Sequence, residues 1–152
     1  MGILEAIHIA DAAAAPMRGL ASVEALAGIG LEGDRYALGI GEFSTQPAVD
    51  RDITLIAAEE LGRLAVSTGI TLAASESRRN VTTRGVALND LVGRRFRVGD
   101  VVLQGTRLCE PCTHLEAVTG KPLMRPLVHR AGLRAMILVG GTISVGDAIA
   151  AE

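Results

Sequence analysis

The sequence is nearly devoid of aromatic residues: it has no tryptophan, one tyrosine and two phenylalanines. Its core must therefore be aliphatic, and a nucleic-acid platform built on stacked bases is excluded. Lysine is almost missing as well, with Lys121 the single example. A formal net charge of -2 provides none of the basic excess that a phosphate-tracking surface needs, so nucleic acid is not an expected partner. No run reaches the roughly 18 apolar residues of a membrane-spanning helix. The N-terminus lacks the charged-then-apolar order of a signal peptide. Two cysteines, Cys109 and Cys112, do not make a secreted disulfide framework. The expectation is a cytoplasmic protein with reduced thiols.

What is present is ample apolar material. Hydrophobic residues make up 49% of the 152 positions and charged residues 21%, which fits one globular domain over 1–152 rather than a disordered chain. The patterning is mostly of strand type. Ile3 to Ile9, Ser22 to Ala27 and Ile53 to Ile56 read as strands, as do Arg95 to Val98 and Val101 to Leu103 on either side of Gly99-Asp100. Leu133 to Val139 reads as a buried strand. Val145-Gly146-Asp147-Ala148-Ile149 repeats the Gly-Asp phrase near the end, and both pairs read as turns or bulges.

One clear helix follows Ile56, with Ala57, Leu61, Leu64 and Ala65 on a single face and Gly69 as its stop. Shorter helical segments are expected at Ala87 to Leu91, Thr113 to Thr119 and Leu123 to Arg130. The polar, glycine-bearing stretch from Gly39 to Asp50 reads as a functional loop. Many short strands with few helices predict a mostly-β α+β fold: a barrel or sandwich with short peripheral helices. Gly28, Gly30 and Gly33 have the spacing of a dinucleotide fingerprint, but no strand–helix–strand unit surrounds them.

Chemistry concentrates in two places. The first is Cys109-Glu110-Pro111-Cys112, with His114 two residues on. A thiol–disulfide redox pair at a helix start is one reading, because a helix N-terminus stabilises a thiolate. Zinc held by Cys109, Cys112, His114 and His129 is a second, although the closing spacing is unusual for it. The third is a single functional cysteine that binds a soft metal or carries sulfur. The second place is Ser77 to Gly85. Here Arg78, Arg79, Asn80 and Arg84 lie among hydroxyls and a glycine, forming an oxyanion nest. Arg94, Arg95 and Arg97 follow within the same twenty positions, where a solvated strand edge is an equal reading. The pair Asp34-Arg35 reads as a salt bridge locking a turn, and His8 as a strand residue with no ligand role.

Taken in order, these pieces resemble the MOSC family, named for the C-terminal domain of molybdenum-cofactor sulfurase. The resemblance runs through Gly30 to Arg35, Arg51 to Ile56, Arg79-Asn80, Leu91 to Gly93, Val98 to Asp100, Cys112 and Gly141 to Asp147. It implies a MOSC-type β-barrel whose cleft holds a molybdenum–pterin cofactor. It implies Cys112 as the metal-binding or sulfur-carrying thiol and Cys109 as a second thiol. Arg78, Arg79, Asn80, Arg84 and His114 would lie beside the cofactor, with Asp34 and Arg35 at the cleft rim. Two reactions are implied: reduction of N-hydroxylated small molecules, or sulfur transfer through a Cys112 persulfide. The first needs a separate electron-donor protein and the second a cysteine desulfurase. Pyridoxal phosphate is not expected, and the oligomeric state is left open.

Overall fold

Period-two burial organises the chain. On β1 (Gly2–Ile9), Leu4, Ile7 and Ile9 are buried while Ile3 and Glu5 face outward, the alternation a half-buried strand requires. The computed structural model describes residues 2–12, 14–38 and 52–152. Among them the further strands are β2 (Arg18–Leu20), β3 (Ser22–Leu26), β4 (Gly30–Leu31), β5 (Ile53–Ala57), β6 (Val81–Arg84), β7 (Arg95–Val98), β8 (Val101–Leu108), β9 (Leu133–Val139), β10 (Gly141–Ser144) and β11 (Ala148–Ala151). Helices are α1 (Arg35–Leu38), α2 (Ala58–Thr68) and α3 (Thr113–Thr119). The mostly-β expectation holds.

Strands pair in the order β11-β7-β8-β9-β5-β6-β1, with β2 on the far side of β1. Strand β1 also pairs with β11, placing Gly2 opposite Ile149 and Ile3 opposite Ala148, and this closes the barrel. Only β5 and β6 run parallel; the other barrel pairs are antiparallel. The parallel pair needs a crossover, which α2 supplies. A small antiparallel sheet, β10-β3-β4, packs beside the barrel.

The barrel interior is filled by aliphatic side chains around Phe96, including Leu4, Ile7, Leu55, Val81, Leu103 and Ile137. A second cluster lies outside the wall. There Leu64 of α2 and Leu115 of α3 meet Leu72, Leu123 and Leu127, with Cys112 packed against them. Two glycines set how closely segments approach. A Cβ on Gly105 would sit 2.0 Å from the Leu91 carbonyl oxygen, and one on Gly132 would sit 1.8 Å from that of Leu55. Gly132 also has φ +113°, which side-chain-bearing residues rarely adopt. Among the described residues no helix is long and apolar enough to cross a membrane.

Some expectations need correction. Leu123 to Arg130 forms successive turns, not a helix. Pro126 removes an N–H and biases the residue before it away from helical angles. Leu123 and Leu127 are buried as expected, but Val128 is exposed. Strand β9 is half-buried, and its last two residues, Leu138 and Val139, are exposed. The segment Ser77 to Gly85 begins at the end of a single 3-10 turn (Ser75–Ser77), passes through the left-handed Arg78 and enters strand β6 at Val81. The expected loop Gly39 to Asp50, and Arg51 beyond it, lie outside the described residues.

Gly132→Ala is expected to destabilise the fold by about 3 kcal/mol or more, because backbone must move to admit the methyl group; denaturant unfolding measures this. A second expectation concerns His8. Its Nδ1 is buried without a hydrogen-bond partner among the described residues, and burial lowers its pKa below the ordinary histidine value. The unfolded chain therefore takes up that proton first, and stability falls as pH drops through the ordinary histidine range. In His8→Gln, the decline in unfolding free energy between about pH 7 and pH 5 should be shallower.

Candidate functional site

Three chain segments and one strand residue converge on Cys112. Arg35 and Tyr36 of α1, Arg78 and Arg79 ahead of β6, Glu110, Cys112, His114 and Leu115 after β8, and Arg134 of β9 line a cavity of about 60 Å³. A larger groove of about 330 Å³, lined by Pro16, Met17, Ser75 and Val118 among others, shares Arg78 as a wall.

The cysteine loop is shaped from both ends. At its start, the Cys109 N–H donates to the Gly132 carbonyl (2.8 Å), continuing the β8–β9 ladder. At its end, Cys112 is extended (φ -142°, ψ 170°) immediately before α3, and its carbonyl accepts from Glu116 N–H (3.2 Å). Between them, Arg79 grips the loop. Its Nε donates to Ala131 O (2.9 Å), and its Nη2 to Cys109 O (3.2 Å) and Glu110 O (3.3 Å). Arg79 is only 7% exposed, and all its partners are carbonyls. Its charge is thus dispersed over peptide dipoles, with no carboxylate partner among the described residues.

Arg78 is buried differently. Its backbone is left-handed (φ 63°), which turns its carbonyl to accept from Arg35 Nη2 (3.0 Å). Its Nη1 donates to the Ala15 carbonyl, while Nη2 is buried with no hydrogen-bond partner among the described residues. The side chain is 6% exposed. Burial first, then the neighbouring Arg35 charge, pulls its pKa below the ordinary arginine value; arginine is so basic that it stays charged regardless. Arg35 is compensated. Its Nη1 lies 3.0 Å from Asp34 Oδ1, and its guanidinium sits over the Tyr36 ring, 4.4 Å from the centroid. The cavity therefore presents, beside a thiol, two buried guanidinium groups with no carboxylate hydrogen-bond partner among the described residues.

A MOSC domain family model matches residues 12–150. The chain belongs to the MOSC domain family. Several crystal structures share the fold of this MOSC domain. YuaD from Bacillus subtilis superposes with a TM-score of 0.81 at 20% identity, over 98% of this chain and 94% of that one. YiiM from Geobacillus stearothermophilus gives 0.77 at 15% identity, over 100% and 75%. YiiM from Escherichia coli gives 0.69 at 16% identity, over 99% and 69%. No curated protein matches the chain by sequence.

Within the MOSC domain, the structure brings Arg35, Arg78, Arg79, Cys112 and His114 to the cavity wall and leaves four named residues off it. Asp34 is fully buried behind Arg35, and its carboxylate also accepts from the N–H groups of Ala10 (3.0 Å) and Tyr36 (3.3 Å). Asn80 is consumed by the barrel wall. Its Oδ1 accepts from Thr54 N (3.0 Å) and its Nδ2 donates to His8 O (3.2 Å), stitching β5, β6 and β1 together. Arg84, at the far end of β6, is ion-paired to Glu5 (2.7 Å). Cys109 is buried under the loop. It is not presented beside Cys112 as an accessible dithiol, which argues against the redox-pair reading. The zinc set does not form either. His129 is bonded to Glu110 (Nδ1 to Oε2, 2.6 Å), and among the described residues no three histidine, cysteine or carboxylate side chains gather.

Sequence reasoning missed Tyr36, Glu110, Leu115 and Arg134 as cavity residues. Arg134 carried a usable signal: it is a charge at the second position of a strand otherwise filled with apolar residues. The others reach the cavity from α1, the cysteine loop and α3 by tertiary placement that no local pattern specifies.

Arg79→Met removes donors from buried carbonyls and should destabilise the protein by about 2–4 kcal/mol. Under native conditions a thiol reagent should label mainly Cys112 in the wild type. In the variant Cys109 should become reactive as the loop lifts, which peptide mass mapping reads directly.

Proposed function

We propose that this MOSC domain binds a molybdenum–pterin cofactor at the arginine cavity, and that it reduces N-hydroxylated small molecules with electrons from a separate donor protein. The observation that carries this reading is the pair Arg78 and Arg79: two buried guanidinium groups without a carboxylate partner among the described residues, beside the partly exposed Cys112 thiol. An uncompensated buried cation is costly, and an oxyanion placed against it relieves that cost.

The residues present fit such a group. The unpartnered Nη2 of Arg78 suits a phosphate oxygen. The enclosed cavity of about 60 Å³ has room for an oxyanion, and the adjoining groove of about 330 Å³ for a larger body. A soft thiolate suits molybdenum. Arg78 and Arg79 would hold the anionic end and Cys112 the metal. When bound, the cofactor supplies the oxygen-abstraction chemistry that no side chain here can perform. The protein's own part is positional. Arg79 fixes the cysteine loop, Asp34 fixes Arg35 at the cavity wall, and His114, two residues after Cys112, lines the same cavity. Two electrons and two protons convert each N–OH to N–H and release one water.

A sulfur carrier fed by a cysteine desulfurase is the second reading, favoured by the accessibility of Cys112 relative to Cys109. Cys112 would then hold sulfane sulfur as a persulfide. One purification separates the two. Protein from a cofactor-producing host should carry molybdenum near stoichiometry, lose it in Cys112→Ser, and reduce an N-hydroxy base with an artificial donor. Metal-free protein that gains one sulfur atom at Cys112 from a desulfurase would overturn the reductase reading in favour of the carrier.

A further inference from the structure

A carboxylate stands close to the cavity guanidinium groups, yet it bonds to neither. Glu110 is the one acidic side chain that lines the Cys112 cavity among the described residues. Its own backbone carbonyl accepts from Arg79 Nη2 (3.3 Å). A glutamate side chain turns about three bonds, so a carboxylate rooted this near can swing onto the arginine. A buried guanidinium with only carbonyl partners attracts such a charge. The pairing is nevertheless not made, and the reason lies outside the cavity.

His129 holds the carboxylate instead. Its N–H donates to Glu110 Oε1 (2.7 Å), and its ring Nδ1 lies 2.6 Å from Oε2. Both carboxylate oxygens are thereby engaged by one residue. His129 does not line the Cys112 cavity; it lines a separate groove of about 600 Å³ beside the start of α2. The Glu110 charge is therefore drawn toward that groove. The grip depends on an unusual backbone. His129 is left-handed (φ 59°), a conformation that costs free energy for a side-chain-bearing residue. Asn89 braces it, its Nδ2 donating to the His129 carbonyl (2.9 Å). The two side chains are 71% and 41% exposed, where an ion pair contributes little to stability. What the pair does is fix where the Glu110 charge sits.

We infer that His129 is a positioning residue that keeps the Glu110 carboxylate off Arg78 and Arg79, and so leaves the Cys112 cavity open to a small oxyanion such as a phosphate or carboxylate group. This rests on the reading of that cavity as an anion site. Without the His129 ring, the chain's own carboxylate turns inward and competes with the ligand for the same donors. The same charge then repels any anion approaching the Cys112 thiol.

Two alkylating reagents of similar size and opposite electrostatic character test this on the metal-free full chain. Iodoacetate is an anion and iodoacetamide is neutral; each alkylates the thiolate by displacing iodide. Peptide mass mapping gives the rate at Cys112 for both. Any loosening of the loop affects the two reagents alike, so their ratio isolates charge. His129→Gly keeps a residue suited to the left-handed backbone and should lower the iodoacetate-to-iodoacetamide ratio by about fivefold or more. Adding Glu110→Gln, which removes the competing charge, should restore the wild-type ratio. An unchanged ratio in His129→Gly would overturn the inference, and so would a fall that persists in the double variant. Molybdenum analysis of the wild type tests the cofactor reading separately, so the two ideas can fail independently.

Discussion

The site depends on one buried side chain. Arg79 reaches from the segment before β6 to carbonyl oxygens of Ala131, Cys109 and Glu110, and so ties that segment to the backbone at both sides of the β8–β9 connection. A guanidinium suits this task because its donors are rigid, planar and diverge toward several acceptors at once. With only carbonyl partners among the described residues, its charge remains available to the cavity. One interaction therefore does two things: it shapes the cysteine loop, and it makes the space beside Cys112 electropositive.

The rest of the architecture holds Arg79 and its neighbours in place. The parallel β5–β6 pair brings Asn80 against Thr54, so the residues just ahead of β6 leave the barrel wall at a fixed point. Gly132 lets the start of β9 press on Leu55, which sets where the Ala131 carbonyl lies. The left-handed backbone at Arg78 costs about 1 kcal/mol or more for a side-chain-bearing residue, and the Arg35 bond to its carbonyl offsets part of that cost. Asp34, wholly inside, orients Arg35. The charged groups thus form a graded set: Asp34 and Arg35 cancel, Arg79 is dispersed over carbonyls, and Arg78 keeps one side open.

Much of this was legible in the sequence, for physical reasons. Strand alternation in β1 and β7, the helical face of α2 and the stop at Gly69 are local signals, and the elements formed where those signals lie. The cysteine loop was visible because two thiols and a histidine around a helix start are chemically uncommon. Pairing was not visible. Nothing local in Val81-Thr82-Thr83-Arg84 says that it runs parallel to β5. Asn80 and Arg84 look like anion ligands by residue type, yet hydrogen bonds to Thr54 and His8, and an ion pair with Glu5, claim them. Leu123 to Arg130 has a helical apolar spacing that Pro126 defeats. Tyr36, Glu110 and Arg134 reach the cavity only through tertiary placement.

The seam between β1 and β11 also bears on how the protein is made. Strand β1 finds its closing partner only after every other barrel strand has been made, since Gly2 and Ile3 pair with Ile149 and Ala148. Until then the barrel is an open sheet with unsatisfied edges and an incompletely covered apolar interior, the kind of species prone to aggregate. Contacts this distant in sequence also slow folding. A chain that has made β8 but not yet β11 is consequently vulnerable, because the cysteine loop already exists without its finished barrel behind it.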